Sequence, residues 1–274
     1  MPISDPVAEA KRILETAEKR GVIIRLLGGV AFYFRCPSAK LDNLRRNYVD
    51  IDVIGHLNQS KAINRLFSEL NYVPRERFNA MNGDRRLIFN DLENQRRVDV
   101  FLDLFEMCHQ FDFKDRLTID RETLSLADLL LTKLQIIEIN EKDIKDILSL
   151  LLDYNIGNSD LNMINGSYIA KLCSNDWGIY KTLTLNLDKI ITTSSYSNLD
   201  PQQKELIKTK ITQLRDMIEE TPKSLKWKMR AKIGEKSQWY KLPEADREVI
   251  DSRLKTTNYQ VFKCSSFPFN AMGV

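Results

Sequence analysis

The chain has 274 residues, of which 43% are hydrophobic and 29% are charged, and its formal net charge is +3. These fractions are typical of a globular protein and argue against intrinsic disorder. No apolar run reaches the roughly 18 residues that a membrane span needs, and the N-terminal residues lack the apolar segment of a signal peptide. We therefore expect a cytoplasmic protein that does not bind membranes.

The cysteines and histidines exclude several classes of site. Only two histidines are present, so a histidine-based catalytic triad has little material to work with. The cysteines lie far apart and form no closely spaced pair, which indicates neither a zinc site nor a disulfide framework. They are Cys36, Cys108, Cys173 and Cys264.

The first 105 residues alternate between helix and strand signals. Asp5 and Pro6 are typical of a helix start, and Gly21 is typical of a helix end. A buried strand, VIIRLL, then leads into Gly28-Gly29 and the start of a second helix. The following elements are predicted as a strand over 48–54, a helix carrying Ile63, Leu66, Phe67 and Leu70, and a pair of strands over 85–90 and 96–103.

From about residue 125 the pattern becomes helical. Ser125 and Asp128 resemble a capping box, and an apolar stripe runs from Leu126 to Ile137. A second helix is predicted to begin near Asn140. Loop signals over 155–166 predict a boundary between a catalytic domain at 1–154 and a mainly helical domain at 155–274.

Gly28-Gly29 lies at a strand-to-helix turn. Glycine allows close approach of the backbone, and the N–H groups at a helix N-terminus can bind phosphate. Taken alone, the pair is explained better by a plain turn.

Asp50 and Asp52 are two residues apart in a predicted strand, so their side chains point to the same side, and Val49, Ile51 and Val53 point to the other. Carboxylates placed this way suit Mg²⁺, although a solvated strand face would give the same pattern. Asp99 is flanked by Val98 and Val100, where an unpaired carboxylate is costly. If its strand lies beside the first, Asp99 joins Asp50 and Asp52 on one face.

The order of these motifs resembles the nucleotidyltransferase superfamily, whose fold is shared with polymerase beta. The resemblance covers about residues 20–105 and rests on Gly28-Gly29, Asp50/Asp52 and Asp99. It implies an α+β fold, with a nucleotidyltransferase-type mixed sheet flanked by helices and a mainly helical region after it. It also implies that Asp50, Asp52 and Asp99 hold Mg²⁺, or Mn²⁺ in its place, and that both glycines approach a nucleoside triphosphate.

The helical stretch over 125–151 resembles the minimal nucleotidyltransferases of abortive-infection and toxin–antitoxin systems. This resemblance places a site lysine at Lys133 and a site aspartate at Asp143. Lys133 also falls within the apolar stripe, where its amine needs either a cleft or a route to solvent. Asp143 borders the stripe of the next helix and is preferred to Asp146, which is expected to point further away. The alternative for Asp143 is a simple helix N-terminal charge.

The resemblance implies an enzyme that transfers a nucleoside monophosphate to a hydroxyl and releases pyrophosphate. The acceptor is expected to be RNA or protein, and the alternative acceptor is a small molecule of the antibiotic type. The alternative function is a non-catalytic protein that binds a nucleotide or a partner. An antitoxin-like protein is the expected partner. The segment 222–240 is basic and contains Trp227, Trp239 and Tyr240. It is consistent with RNA binding or with a solvated helix face anchored by aromatic residues.

Overall fold

A mixed β-sheet forms the centre of the computed structural model, which describes residues 1–242. Within these residues seven strands join into one sheet. The strands are β1 (Ile24–Leu27), β2 (Ile51–Gly55), β3 (Val73–Pro74), β4 (Arg86–Asp91), β5 (Arg96–Leu102), β6 (Leu104–Glu106) and β7 (Gln110–Asp112).

The strand order of the main path is β1-β2-β5-β4-β3. The pair β2–β5 is parallel, and the other pairs along this path are antiparallel. β6 and β7 extend the sheet from the end of β5. The central strands are almost entirely buried, as their runs of Val, Ile, Leu and Phe predict.

The second strand begins later than its sequence pattern indicates. The prediction covered 48–54, whereas β2 is Ile51–Gly55. The backbone finds its first partner in β5 at Ile51, so the residues before it are outside the ladder. Val49 is 64% exposed, and the expectation that it shares the buried face of Ile51 is wrong. Asp50 is exposed and lies in the segment that leads into β2.

Six helices flank the sheet within residues 1–153. They are α1 (Pro6–Lys19), α2 (Gly28–Arg35), α3 (Ser60–Glu69), α4 (Glu76–Asn82), α5 (Leu126–Leu134) and α6 (Glu141–Asp153). The predicted caps are present. The Asp5 side chain accepts a hydrogen bond from the Ala8 backbone at 2.7 Å, Ser125 accepts one from Asp128, and Asn140 caps α6.

The helix α5 is buried on every side. All nine of its residues are buried, including Lys133. The predicted stripe extended to Ile137, but the helix ends at Leu134 and Ile137 lies in the turn that follows. Burial on all sides is explained by its position, since α5 has neighbours in α2, α6, α7 and α8.

The region after residue 154 is mainly helical, as predicted. A short parallel pair, β8 (Ile156–Gly157) with β9 (Ile164–Asn165), precedes the helices α7 (Gly166–Asn175), α8 (Trp177–Ile190), α9 (Ser194–Ser197), α10 (Pro201–Glu220) and α11 (Leu225–Ile233). The predicted helix near 203–220 corresponds to α10. The part of the predicted domain beyond residue 242 lies outside the described residues.

The fold is therefore α+β, a mixed sheet flanked by helices and followed by a mainly helical region, as expected. One hydrophobic core runs from the sheet through α5 and α6 into α7, α8 and α10, and Met1–Tyr240 form one compact unit. Between residues 1 and 242, no helix is long and apolar enough to cross a membrane. The cysteines in this range are free and buried, and Cys264 lies beyond it.

Candidate functional site

Asp52 and Asp99 lie directly opposite one another on the parallel strands β2 and β5. Opposed residues on neighbouring strands point to the same face of a sheet. The prediction that the strand of Asp99 lies beside that of Asp52 is therefore confirmed. Asp99 is only 1% exposed because β5 is central in the sheet. Two carboxylates thus stand side by side at the centre of the fold.

The glycine turn lies against this carboxylate pair. β1 ends at Leu27, which is the register partner of Asp52, and Gly28 follows it with φ at +64°. A Cβ atom on Gly28 would overlap the Asp52 carboxylate. Glycine is therefore required at position 28 for two reasons. The backbone there is left-handed, and Asp52 occupies the space that a side chain would need.

The Asp52 carboxylate is electrostatically unfavourable as an anion. Burial is the largest cause and the neighbouring Asp99 is the next, and together they raise the pKa of Asp52 to about 7. Asp50 raises this pKa further, while Lys133 lowers it. Among residues 1–242, no group donates a hydrogen bond to the Asp52 carboxylate. A positive charge placed beside Asp52 would relieve this repulsion.

Asp99, by contrast, is held by two arginines. Arg86 on β4 places Nε at 2.9 Å and Nη2 at 2.5 Å from Oδ1 of Asp99. Arg97, two residues earlier on the same strand, places Nε at 2.7 Å from Oδ2. Both arginine side chains are about one-third exposed, whereas that of Asp99 is 2% exposed. The buried carboxylate is thus compensated from the solvent side.

The Lys133 amine is held by two carboxylates of α6, and the Lys133 side chain is 11% exposed. Its Nζ is 2.8 Å from Asp143 Oδ1 and 3.0 Å from Asp146 Oδ2. Burial lowers the pKa of Lys133, but the two carboxylates outweigh burial and the pKa is raised. The lysine is therefore charged.

Asp143 contacts Lys133 directly, and the assignment of both as site residues stays a prediction. The reason given for preferring Asp143 to Asp146 is wrong, since residues three apart on a helix share a face. Asp146 also binds Arg46. The Arg46 Nε donates to Oδ1 of Asp146 and Nη2 donates to Oδ2, both at 2.8 Å. A Cβ on Gly29 would overlap the Arg46 guanidinium. Arg46 therefore links the glycine turn to α6.

The residues suited to a divalent cation are oxygen donors only. Asp52 and Asp99 form the adjacent pair, whereas Asp50 lies in the exposed segment before β2, outside the ladder. Over residues 1–242, no group of three or more His, Cys, Asp or Glu side chains is arranged to hold a metal. The donor set fits Mg²⁺ in its chemistry, because carboxylate oxygens with remaining water ligands are what this ion prefers.

The basic segment near the C-terminus contains α11. Its tryptophans are anchors. Trp227 packs edge-on against Tyr180 at 5.2 Å, and Trp239 packs against Trp177 at 5.8 Å while donating a hydrogen bond to Thr182. The lysines of α11 are exposed. This geometry agrees with a solvated helix face held by aromatic residues.

Sequence reasoning gave no site role to Arg86 and Arg97, and it set Asp146 aside in favour of Asp143. It treated Arg46 only as part of a basic loop, before Asp50, that could hold triphosphate or be solvated. A signal existed for Arg97, since positions two apart on a strand share a face. Arg46, Arg86 and Asp146 come from separate elements, and only the packing of those elements brings them to the carboxylates or to Lys133.

No family model and no curated protein matches this chain. Among solved structures, the chain is similar to the antibiotic-resistance factor ANT(2'')-Ia, with a TM-score of 0.40 and 12% identity over 61% of this chain and 92% of that chain. It is also similar to a STING-associated CdnE c-di-GMP synthase from Capnocytophaga granulosa, with a TM-score of 0.25 and 16% identity over 79% of this chain and 80% of that chain. At these identities, neither likeness assigns a substrate to this chain.

Proposed function

We propose that the protein is a nucleotidyltransferase, which moves a nucleoside monophosphate from a nucleoside triphosphate to a hydroxyl group and releases pyrophosphate. One observation carries this proposal. Asp52 and Asp99 stand side by side on parallel strands, directly beneath the Gly28 turn. Paired carboxylates next to a tight glycine turn bring a cation site and a phosphate-binding backbone together.

The triphosphate would bind at the start of α2. Gly28 and Gly29 open this helix, and no side chain caps its free N–H groups. These groups favour an anion. The charged amine of Lys133 lies close enough to influence Asp52 and would act on the phosphates as a point charge. Asp143 would position that amine through its 2.8 Å ion pair.

Asp52 and Asp99 would hold Mg²⁺ or Mn²⁺, with Asp50, in the segment before β2, as the third ligand that the resemblance implies. A bound divalent ion supplies charge stabilisation for the attacking and leaving oxygens. Asp99 would also accept the proton of the acceptor hydroxyl. The acceptor, by the resemblance to toxin–antitoxin enzymes, would be an RNA end or a protein hydroxyl, and a small molecule of the antibiotic type is the alternative.

The test is label transfer by the full chain. The protein is incubated with each of the four labelled nucleoside triphosphates, Mg²⁺, and either total cell RNA, total cell protein or a panel of hydroxyl-bearing antibiotics. We expect labelled product with one acceptor class, loss of at least about a hundredfold in rate for Asp52→Asn, and no change for Asp42→Asn, whose side chain is fully exposed. Transfer that survives in Asp52→Asn contradicts the proposal.

A second candidate is a nucleotide-binding protein without turnover. The observation that favours it is the engagement of Asp99 by both Arg86 and Arg97. Equilibrium dialysis with each nucleotide distinguishes the two functions. Saturable binding that depends on Lys133, combined with no transfer to any acceptor class, supports the second candidate and contradicts the first.

A further inference from the structure

We propose that Arg86 and Arg97 are built-in competitors for the divalent cation at Asp99, so that these two arginines set the metal affinity of the site. The inference rests on the proposed function, because it assumes that Asp52 and Asp99 bind a metal. It concerns residues to which neither the sequence patterns nor the resemblance gave a role.

Both carboxylate oxygens of Asp99 already contact an arginine. Arg86 takes Oδ1 through two nitrogens, and Arg97 approaches Oδ2. A cation that binds Asp99 must share or replace these contacts. Only the contacts of Arg86 are charge-assisted hydrogen bonds, and removing them should strengthen metal binding about tenfold or more.

The contacts of Arg86 and Arg97 with Asp99 differ from a more deeply buried ion pair in the same hairpin. Arg96 and Asp91 are also paired, at 2.7 Å, but their side chains are 2% and 0% exposed. Arg96 also donates to the backbone oxygen of Ile3. The side chains of Arg86 and Arg97 are about one-third exposed, so separating either one from Asp99 costs less than separating the deeply buried Arg96–Asp91 pair.

Arg86 also lies against two aromatic rings. The Arg86 guanidinium lies 5.2 Å from the ring centroid of Phe101 and 5.9 Å from that of Phe78. Attraction to an aromatic face holds a guanidinium without a carboxylate. Arg86 can therefore release Asp99 and stay at the site, where its positive charge would face the phosphates of a nucleotide.

The carboxylates of Asp52 and Asp99 differ in how many positively charged partners they have. Asp52 accepts no hydrogen bond from the described residues, whereas Asp99 is compensated twice. A metal would therefore find one free carboxylate and one that is already bound. The arginines act here as positioning residues, and they make metal binding and arginine release a single exchange.

The test measures Mn²⁺ binding to the full chain without nucleotide, by electron paramagnetic resonance of free Mn²⁺ and by calorimetry. The variants are Arg86→Gln and Arg97→Gln. The matched control is Arg85→Gln, which removes the same charge from the neighbouring residue, whose side chain is 66% exposed and approaches Asp84 and Glu106. We expect Arg86→Gln to bind Mn²⁺ about tenfold more tightly, with Arg85→Gln close to the parent protein.

Several outcomes decide the question. Equal tightening in all three variants would show a general charge effect and overturn the proposal, as would unchanged or weaker binding in both Arg86→Gln and Arg97→Gln. Mn²⁺ binding that appears only in these two variants supports it. Label transfer by a parent protein whose Mn²⁺ affinity is insensitive to both arginines leaves the proposed function intact and removes this inference. Tighter Mn²⁺ binding in the two arginine variants, without label transfer by any variant or by the parent protein, supports this inference and contradicts the proposed function.

Discussion

Arg46 and Asp146 form a two-pronged ion pair, although they are 100 residues apart in the chain. The pair joins the segment before β2 to α6, and Asp146 also holds Lys133. The side chain of Asp146 is 2% exposed and that of Arg46 is 14% exposed. One carboxylate thus compensates both the Arg46 guanidinium and the Lys133 amine.

Asp146→Asn should destabilise the protein strongly. Removing one partner of a buried ion pair leaves an uncompensated charge and costs about 3–5 kcal/mol. Asp143→Asn should cost less, because it leaves Lys133 paired with Asp146. Urea unfolding followed by circular dichroism measures both values. An equal loss in the two variants would show that Asp146 has no special place in the network.

Gly28→Ala should be more damaging than Gly21→Ala. Both glycines have positive φ, +64° and +66°, so both variants incur about 1–2 kcal/mol of backbone strain. A Cβ on Gly21 would meet nothing within 4 Å, whereas one on Gly28 would overlap Asp52. Thermal unfolding of the two variants isolates the cost of this overlap. Similar melting temperatures would mean that the Gly28 turn can move away from Asp52.

His109 should make stability depend on pH. Burial lowers its pKa from the ordinary value of 6.5, and Nε2 lies 2.8 Å from the Thr182 hydroxyl. The unfolded chain therefore takes up the proton first on acidification. The stabilising contribution is complete above pH 6.5 and is lost below it, with a slope of at most about 1.4 kcal/mol per pH unit.

The measurement is the free energy of unfolding at pH 7.5 and 5.5 for the parent protein and for His109→Gln. Groups that titrate in both proteins cancel in the difference between them. We expect the parent protein to lose more stability than the variant on acidification. The same loss in both proteins would assign the pH dependence to other groups.

Arg116→Lys should not behave as a conservative change. The Arg116 Nε is 2.8 Å from both oxygens of the buried Asp128, and its guanidinium lies 3.7 Å from the centroid of the Tyr168 ring. Lysine keeps the charge but loses the planar group that makes both contacts. We expect a loss of about 1–3 kcal/mol in urea unfolding.

The control is Arg20→Lys. Arg20 pairs with Glu69 at 2.7 Å, but the side chains are 57% and 42% exposed, and such a pair contributes little. This variant should differ from the parent protein by less than about 0.5 kcal/mol. If the two replacements have equal effects, the geometry around Arg116 makes no specific contribution.

Local patterns determined much of the fold. The cap residues Asp5, Ser125 and Asn140 fall where the sequence places helix starts. The alternation of valines around Asp99 predicted its strand, and its isolation among apolar neighbours marked it as a site residue. These features depend on neighbours in the chain, so the sequence alone expresses them.

The partners of the charged side chains were decided by the tertiary structure. Asp99 meets Arg86 because β4 pairs with β5 in a particular register, and Lys133 meets Asp146 because α5 packs on α6. A lysine in an apolar stripe can equally extend to solvent or find a buried carboxylate. Only the packing of distant elements selects between these outcomes, because the energy of a charge depends on what surrounds it in space.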